Sequence, residues 1–238
     1  GYDLSLVHTS ENLDALFANL DPEKRATMLL HGAPGTGKTA FARHLAEHLG
    51  APLLLRRASE LLGKYVGENE QNIARMFQEA RTECAVLLLD EADSFLRSRR
   101  TADRSWEVTL VNEMLVQMET FEGIFICSTN LADDMDEASA RRFDLKIEFE
   151  ALRPASRIQL LRRSVEKLMG PELLESDDFR QAGLVIEHLP GLTVGHFATL
   201  MRRSKLLGPP ASCIELVRLL EKEISMARTA TTASLGFN

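Results

Sequence analysis

The stretch GAPGTGKT, residues 32–39, decides the fold class of this chain. It follows the apolar run TMLLH (27–31) and precedes a segment with helical spacing (38–49), so a glycine-rich turn joins a strand to a helix. The spacing matches G-x-x-x-x-G-K-S/T, the pattern of a phosphate-binding loop, in the strand–loop–helix context that this pattern requires. The stretch therefore predicts an α/β domain that binds phosphate groups.

The residue types of this loop suit phosphate oxygens. Gly35 and Gly37 let backbone N–H groups turn inward around the oxygens, and the following helix directs the positive end of its dipole at them. Lys38 supplies a compact positive charge for the β- and γ-phosphates, and Thr39 offers its hydroxyl to Mg²⁺. The predicted nucleotide-binding residues of the loop are Gly32, Pro34, Gly35, Thr36, Gly37, Lys38 and Thr39.

Polar residues end two further apolar runs. AVLLLDE ends in Asp90 and Glu91, and GIFICSTN ends in Asn130. Because ligands of open α/β sheets lie at the carboxyl ends of the strands, these residues are expected beside the phosphate loop. We predict that Asp90 holds the Mg²⁺ shell, that Glu91 is the general base, and that Asn130 orients the attacking water. A strand-end cap is the alternative role for Asn130.

Strand-like and helical segments alternate through residues 27–149, which predicts a three-layer α/β domain around a parallel sheet. The five predicted strands are TMLLH (27–31), PLLLR (52–56), AVLLLD (85–90), GIFICST (123–129) and DLKIEF (144–149). The predicted helices between them cover 38–49, 69–82 and 106–119.

The strand signals stop after LRP (152–154). Helical patterns then follow at 154–169, about 173–188, 193–207 and 211–227, separated by turns rich in glycine and proline. We therefore predict a large α/β domain at 1–152, a small helical domain at 153–228 and a flexible tail at 229–238.

Composition and charge restrict the location and the partners of the chain. Its 238 residues carry a net charge of −7, which disfavours a surface that coats nucleic acid. The three cysteines fit no disulfide or zinc pattern, so a reducing, cytoplasmic location is expected, with Cys84 and Cys127 as small core residues. No apolar run reaches the ~18 residues of a membrane span, so no membrane segment is expected.

Taken together, the motifs resemble those of AAA+ ATPases over nearly the whole chain. They are GAPGTGKT (32–39), LLLDEAD (87–93), STN (128–130) and DEASARRFD (136–144). The segment WEVTLVNEMLVQMETFEG (106–123) resembles membrane-anchored AAA proteases, and ARRFD (140–144) resembles the katanin and spastin group. The resemblance implies a five-stranded sheet, a helical lid, hydrolysis of ATP with Mg²⁺, and a homo-oligomeric ring, usually of six subunits.

The resemblance also assigns roles to individual residues. Arg141 and Arg142 would be arginine fingers, which reach the γ-phosphate of the neighbouring subunit and stabilise charge on the transferring oxygens. In the lid, TVGHF (193–197) stands where relatives have Gly-Ala-Asp after Thr or Ser, so Gly195 would lie near the adenine.

A third assignment concerns Lys64, Tyr65 and Val66, which precede Gly67. They match the aromatic–hydrophobic–glycine loop that projects into the central pore of protein-translocating rings. This match predicts that a polypeptide substrate or partner protein is threaded or remodelled. Two alternatives remain: a switch or loader that acts on nucleic-acid complexes, which the acidic balance disfavours, and an ATP-dependent scaffold that binds partners without threading them.

Overall fold

The computed structural model of the protein describes residues 3–21, 23–62, 67–96, 105–130 and 137–235, with the backbone alone at 94–95, 105–108 and 227–235. The chain forms two compact units. One comprises Gly1–Leu4 and Thr9–Glu150, and the other comprises Ser5–His8 and Ala151–Asn238. His8 joins the second unit through a hydrogen bond between its Nε2 and Ser156 Oγ, 2.7 Å apart.

A five-stranded parallel sheet forms the centre of the first unit, in the order β2-β3-β4-β1-β5. The strands are β1 (Ala26–His31), β2 (Leu53–Arg57), β3 (Val86–Asp90), β4 (Ile124–Ser128) and β5 (Leu145–Glu148). Each bound lies within one residue of the prediction, so the predicted sheet is confirmed. The apolar runs were reliable because β3 and β4 are buried on both faces, as parallel strands between helical layers must be.

The helices of this unit differ from the prediction mainly in the short elements. They are α1 (Leu13–Asn19), α2 (Lys38–His48), α3 (Glu68–Glu83), α4 (Asp93–Leu96), α5 (Ser105–Thr120) and α6 (Glu137–Ala140). The prediction missed α1, α4 and α6, because four to seven residues are too few to display a helical period. A start signal for α1 was present, since the Asn12 side chain accepts from Ala15 N at 3.0 Å.

Four helices surround a separate apolar core in the second unit. They are α7 (Pro154–Met169), α8 (Asp177–Glu187), α9 (Val194–Leu207) and α10 (Cys213–Leu235). The single helix predicted at about 173–188 is wrong at its start: a short 3-10 helix covers Pro171–Glu175, and α8 begins only after Ser176 caps it by accepting from Phe179 N. The predicted end at 227 is too early, since α10 continues to Leu235.

One cysteine does not lie where the sequence placed it. Cys127 and Cys213 are buried, but Cys84 is exposed, so its interpretation as a core residue is wrong. Cys84 ends α3 in the left-handed conformation, with φ of 49°, and this turn carries its side chain to the surface before β3 begins. Among the described residues, no helix combines the length and apolar character that a membrane crossing needs.

Candidate nucleotide-binding site

The phosphate loop connects the carboxyl end of β1 to the first turn of α2. Gly37 directly precedes α2 and has φ of 108°, a conformation that side chains disfavour. Gly32 is restricted further, because its φ is 128° and a Cβ there would lie 2.2 Å from the carbonyl oxygen of Phe149. The buried Thr36 braces the loop by donating from Oγ1 to Ala33 O at 2.8 Å. This geometry leaves the N-terminus of an 11-residue helix at the loop, as anion binding requires.

Lys38 is buried within this loop, with 7% of its surface exposed. Its ammonium donates to Gly32 O at 2.7 Å, to Ala33 O at 3.0 Å and to Asn130 Oδ1 at 3.0 Å. Burial lowers the pKa of Lys38 to about 8, although the carboxylates of Asp90 and Asp93 act in the opposite direction. Lys38 is therefore held at the loop by polar atoms that a phosphate oxygen can replace.

A hydroxyl and a carboxylate lie together beside this lysine. Thr39 Oγ1 in the first turn of α2 donates to Asp90 Oδ2 at 2.8 Å, at the end of β3. The other carboxylate oxygen, Asp90 Oδ1, accepts from Ser128 Oγ and from Glu91 N, the latter at 3.0 Å. Hard oxygen atoms of this kind are the ligands that Mg²⁺ prefers, so the residues present fit the ion. The prediction did not include the contact with Ser128.

Glu91 follows β3 with an unusual backbone. Its φ is 57°, a left-handed conformation that costs roughly 1–2 kcal/mol for a residue with a side chain. Hydrogen bonds on both sides hold it: Glu91 N donates to Asp90 Oδ1, and Ala92 N donates to Ser128 O at 2.8 Å. The turn leaves the Glu91 side chain exposed at the carboxyl edge of the sheet, where solvent can reach it.

The prediction missed Asp93, which positions Asn130. Asp93 Oδ1 accepts from Thr129 Oγ1 at 2.6 Å and from Asn130 N at 2.9 Å, and so ties the end of β4 to the start of α4. The available signal was the third acid of LLLDEAD, three residues after Asp90. Asp93 thus sets the backbone from which the Asn130 amide reaches Lys38.

The structure gathers the loop residues, Asp90, Glu91 and Asn130 at one edge of the sheet. The two predicted arginine fingers instead contact nearby glutamates: Arg141 Nη2 lies 3.4 Å from Glu137 Oε2, and Arg142 Nη1 lies 2.5 Å from Glu119 Oε1. Gly195 lies in the first turn of α9, in the second unit. The predicted pore residues Lys64, Tyr65 and Val66 lie outside the described residues.

Comparison with known proteins identifies the family of this fold and loop. The model of the ATPase family associated with various cellular activities (AAA) matches residues 28–151. Protein mac-1 of Caenorhabditis elegans is 34% identical over 197 residues, which cover 79% of this chain and 24% of that protein. Spastin of Drosophila persimilis is 30% identical over 172 residues, which cover 69% of this chain and 22% of that protein.

Two further similarities extend this result. Protein CdcH of Halobacterium salinarum is 35% identical over 140 residues, which cover 56% of this chain and 19% of that protein. The chain therefore spans about a quarter or less of the length of these three relatives. A chain of the E. coli MS115-1 HORMA:CdnC:Trip13 complex has the same fold, with a TM-score of 0.65 at 20% identity over 84% of this chain and 74% of that chain.

The family match covers more than half of the chain and includes the phosphate loop, Asp90 at the end of β3, Glu91 and Asn130. The sheet order and the loop geometry agree with this match. The chain belongs to the AAA family of ATPases.

Proposed function

We propose that this AAA domain hydrolyses ATP with Mg²⁺ at the subunit interfaces of a homo-oligomeric ring of six subunits, and that the ring threads or remodels a polypeptide. The observation that carries the hydrolytic part is the 2.8 Å contact between Thr39 Oγ1 and Asp90 Oδ2. It brings the first turn after the phosphate loop together with the strand end that presents Glu91.

The loop provides the phosphate site. Backbone N–H groups of the glycine-rich loop and of the first helical turn of α2 would face the phosphates. Lys38 would supply the positive charge that stabilises the γ-phosphate. Lys38 has three N–H donors, and three protein acceptors occupy them. ATP must therefore displace at least one of these acceptors when it binds.

Thr39 and Asp90 would hold Mg²⁺ between them. The bound ion would neutralise charge on the β- and γ-phosphate oxygens. Ser128 keeps the Asp90 carboxylate in place from the neighbouring strand, so the carboxylate keeps its orientation when the Thr39 hydroxyl turns away from it.

Glu91 is proposed as the general base. Its side chain is exposed at the same edge as the loop, and its strained backbone is held by the hydrogen bonds from Glu91 N to Asp90 Oδ1 and from Ala92 N to Ser128 O. A carboxylate in this place can accept a proton from a water that attacks the γ-phosphate. Asn130, once released from Lys38, would hold that water in line.

The arginines are proposed to act on the neighbouring subunit. Arg141 and Arg142 follow the short helix α6, and the Arg141 side chain is 79% exposed. An arginine of this kind is available to an adjoining subunit, where its guanidinium can stabilise charge on the transferring phosphoryl group. Gly195 of α9 is proposed to approach the adenine, on the strength of the family pattern alone.

Threading is proposed from the match of Lys64, Tyr65, Val66 and Gly67 to the pore loops of translocating rings. Gly67 has φ of 86° and directly precedes α3, so the segment ends at a glycine turn on a rigid helix. An aromatic side chain suits this task because it grips many sequences through apolar contact, without requiring a specific hydrogen bond.

Glu91→Gln tests the hydrolytic part. The variant should bind ATP as the wild type does but hydrolyse it about 10²–10⁴ times more slowly, since removal of a general base costs this much. Glu83→Gln, an exposed acid at the opposite edge of the sheet, is the matched control and should hydrolyse ATP normally. Wild-type hydrolysis by Glu91→Gln would exclude Glu91 as the base.

Tyr65→Ala tests the threading part. It should keep ATP hydrolysis and lose the unfolding of a folded test protein that carries an unstructured tail, whereas Tyr65→Phe should keep both. Continued activity toward partners in Tyr65→Ala would favour the scaffold. Stimulation of the ATPase by DNA or RNA, with no response to unfolded polypeptide, would favour the nucleic-acid switch.

A further inference from the structure

A cavity of about 650 Å³ lies in the first unit, at the N-terminal ends of the strands. Three turns that enter strands line it: Leu49–Pro52 before β2, Cys84–Ala85 before β3, and Phe121–Gly123 before β4. Val86 of the cavity and Asp90 of the nucleotide-binding site lie at opposite ends of β3, and a five-residue strand is roughly 16 Å long. The cavity is therefore distinct from the nucleotide-binding site.

The interior of the cavity is apolar. Phe121 lines it with only 1% of its surface exposed, and its ring packs against Phe77 with centroids 5.4 Å apart. The other buried residues of the lining are Ala80, Ala85, Val86 and Ile124. A cavity of this size and lining falls within the ~300–1,000 Å³ range of small-molecule sites.

The rim of the cavity is negative. Three helices end beside it, α2 at His48, α3 at Glu83 and α5 at Thr120, and the C-terminus of a helix carries roughly half a negative charge. Two exposed glutamates, Glu23 and Glu122, belong to the lining. The field at the rim therefore favours a cation.

Arg81 is the one cation among the described lining residues. Its guanidinium carbon lies 5.7 Å from the centroid of the Phe121 ring, so it lies over an aromatic face. Two carboxylates and three helix ends still outweigh this single charge. The combination of an apolar interior and an anionic rim selects a ligand with both an apolar part and a positive charge.

We propose that this cavity binds small amphipathic cations, molecules with an apolar chain or ring and a protonated amine. The apolar part would lie against Phe121 and Val86, and the amine would lie at the rim near Glu23 and Glu122. The site is independent of ATP hydrolysis, so it can be tested without nucleotide.

Cys84 provides a direct reporter of occupancy. It lines the cavity and is exposed, whereas Cys127 and Cys213, the other cysteines of the chain, are buried. N-ethylmaleimide should therefore alkylate Cys84 first in the folded protein. A ligand in the cavity should slow that reaction, and mass spectrometry measures its rate.

The experiment compares three probes with the same chain and different head groups: octylammonium, octanoate and octanol. Octylammonium should slow the alkylation of Cys84 at a concentration about tenfold lower than either of the others, as one favourable charge interaction near a protein surface predicts. Equal protection by all three probes, or protection by none, would overturn the proposal.

A charge reversal at the rim supplies the second test. Glu122→Lys changes an exposed side chain, so the fold should be kept, and thermal unfolding checks this. In this variant octylammonium should no longer protect Cys84 at a lower concentration than the other probes. Octanoate should protect Cys84 better than octylammonium does. Glu175→Lys, an exposed glutamate of the second unit, is the matched control and should keep the wild-type preference. An unchanged preference in Glu122→Lys would refute the role of the rim charges.

Discussion

Lys38 Nζ donates to Asn130 Oδ1 at 3.0 Å, and this bond joins the cation of the phosphate loop to the amide proposed to orient the attacking water. The other two acceptors of Lys38, Gly32 O and Ala33 O, belong to the backbone of the loop. The amide is the acceptor that can leave by a side-chain rotation. Nucleotide binding is therefore expected to release the Asn130 amide from Lys38, which leaves the amide free to hold the attacking water.

Substitutions of Asn130 test this exchange. Asn130→Ala should bind ATP at least as tightly as the wild type, because one competitor for Lys38 is gone, and hydrolyse it about 10²-fold more slowly. Asn130→Asp should weaken ATP binding, because a carboxylate pairs with the ammonium more strongly than an amide does. Equilibrium binding of a fluorescent ATP analogue and steady-state hydrolysis separate the two effects. A wild-type rate in Asn130→Ala would contradict the assignment.

The arginines should act between subunits. Arg141→Ala and Arg142→Ala should each keep ATP affinity and lower kcat by roughly 10³-fold or more, as loss of an arginine finger does. When Arg141→Ala subunits are mixed with Glu91→Gln subunits, each inactive alone, hydrolysis should reappear, because an intact site then adjoins an intact arginine of the neighbouring subunit. Arg180→Ala is the control, because Arg180 is an exposed arginine paired with Asp177 in the second unit. No recovery of hydrolysis in this mixture would show that the arginines act within their own subunit.

Gly32→Ala should destabilise the first unit. The new Cβ would meet Phe149 O at 2.2 Å in a backbone with φ of 128°, so the loop or β5 must shift. We expect the free energy of unfolding to fall by more than about 2 kcal/mol. Gly191→Ala has positive φ of 77° but open space around it, and should cost only about 1 kcal/mol. Urea unfolding of both variants measures the difference, and equal losses would show that the close approach to Phe149 is unimportant.

The start of α9 should be sensitive to acid. His196 Nδ1 accepts from Thr193 N at 3.0 Å and lies 2.9 Å from Thr193 Oγ1, so the bond requires an imidazole that is unprotonated at Nδ1. Burial holds the pKa of His196 below its usual value, although Glu223 opposes this effect. Because the folded state binds the proton less readily than the unfolded state, this contribution to stability is complete above about pH 6.5 and is lost as the pH falls below it.

His196→Gln checks this dependence. Glutamine keeps an acceptor at the third helical position and does not titrate, so the variant should lose less stability than the wild type between pH 7 and pH 5. The pKa of His31 is also lowered by burial, but His31 is present in both proteins and cancels in the difference. Thermal unfolding across this pH range gives the comparison. Parallel curves for the two proteins would exclude a contribution from His196.

Local sequence patterns were enough to predict the strands and the phosphate loop. Runs such as AVLLLD and the spacing of GAPGTGKT depend on residues adjacent in the chain, and burial on both faces of a parallel sheet leaves little freedom in how they fold. The position of Asp90 and Glu91 beside the phosphate loop could also be predicted from the sequence, because the carboxyl ends of parallel strands lie on the same side of a sheet. The short helices were not predicted, since α4 and α6 contain four residues each and show no helical period.

The sequence by itself determined the strands, the phosphate loop and the chemical type of the site, because each depends on neighbouring residues. Only the tertiary structure decided which atoms meet: Lys38 and Asn130 are 92 positions apart, and Asp93 and Asn130 are 37 positions apart. The same holds for Cys84, whose exposure depends on a left-handed turn, and for the cavity, whose wall comes from three separate turns. Packing of the sheet against its helices brings such distant residues together, and no local pattern records that packing.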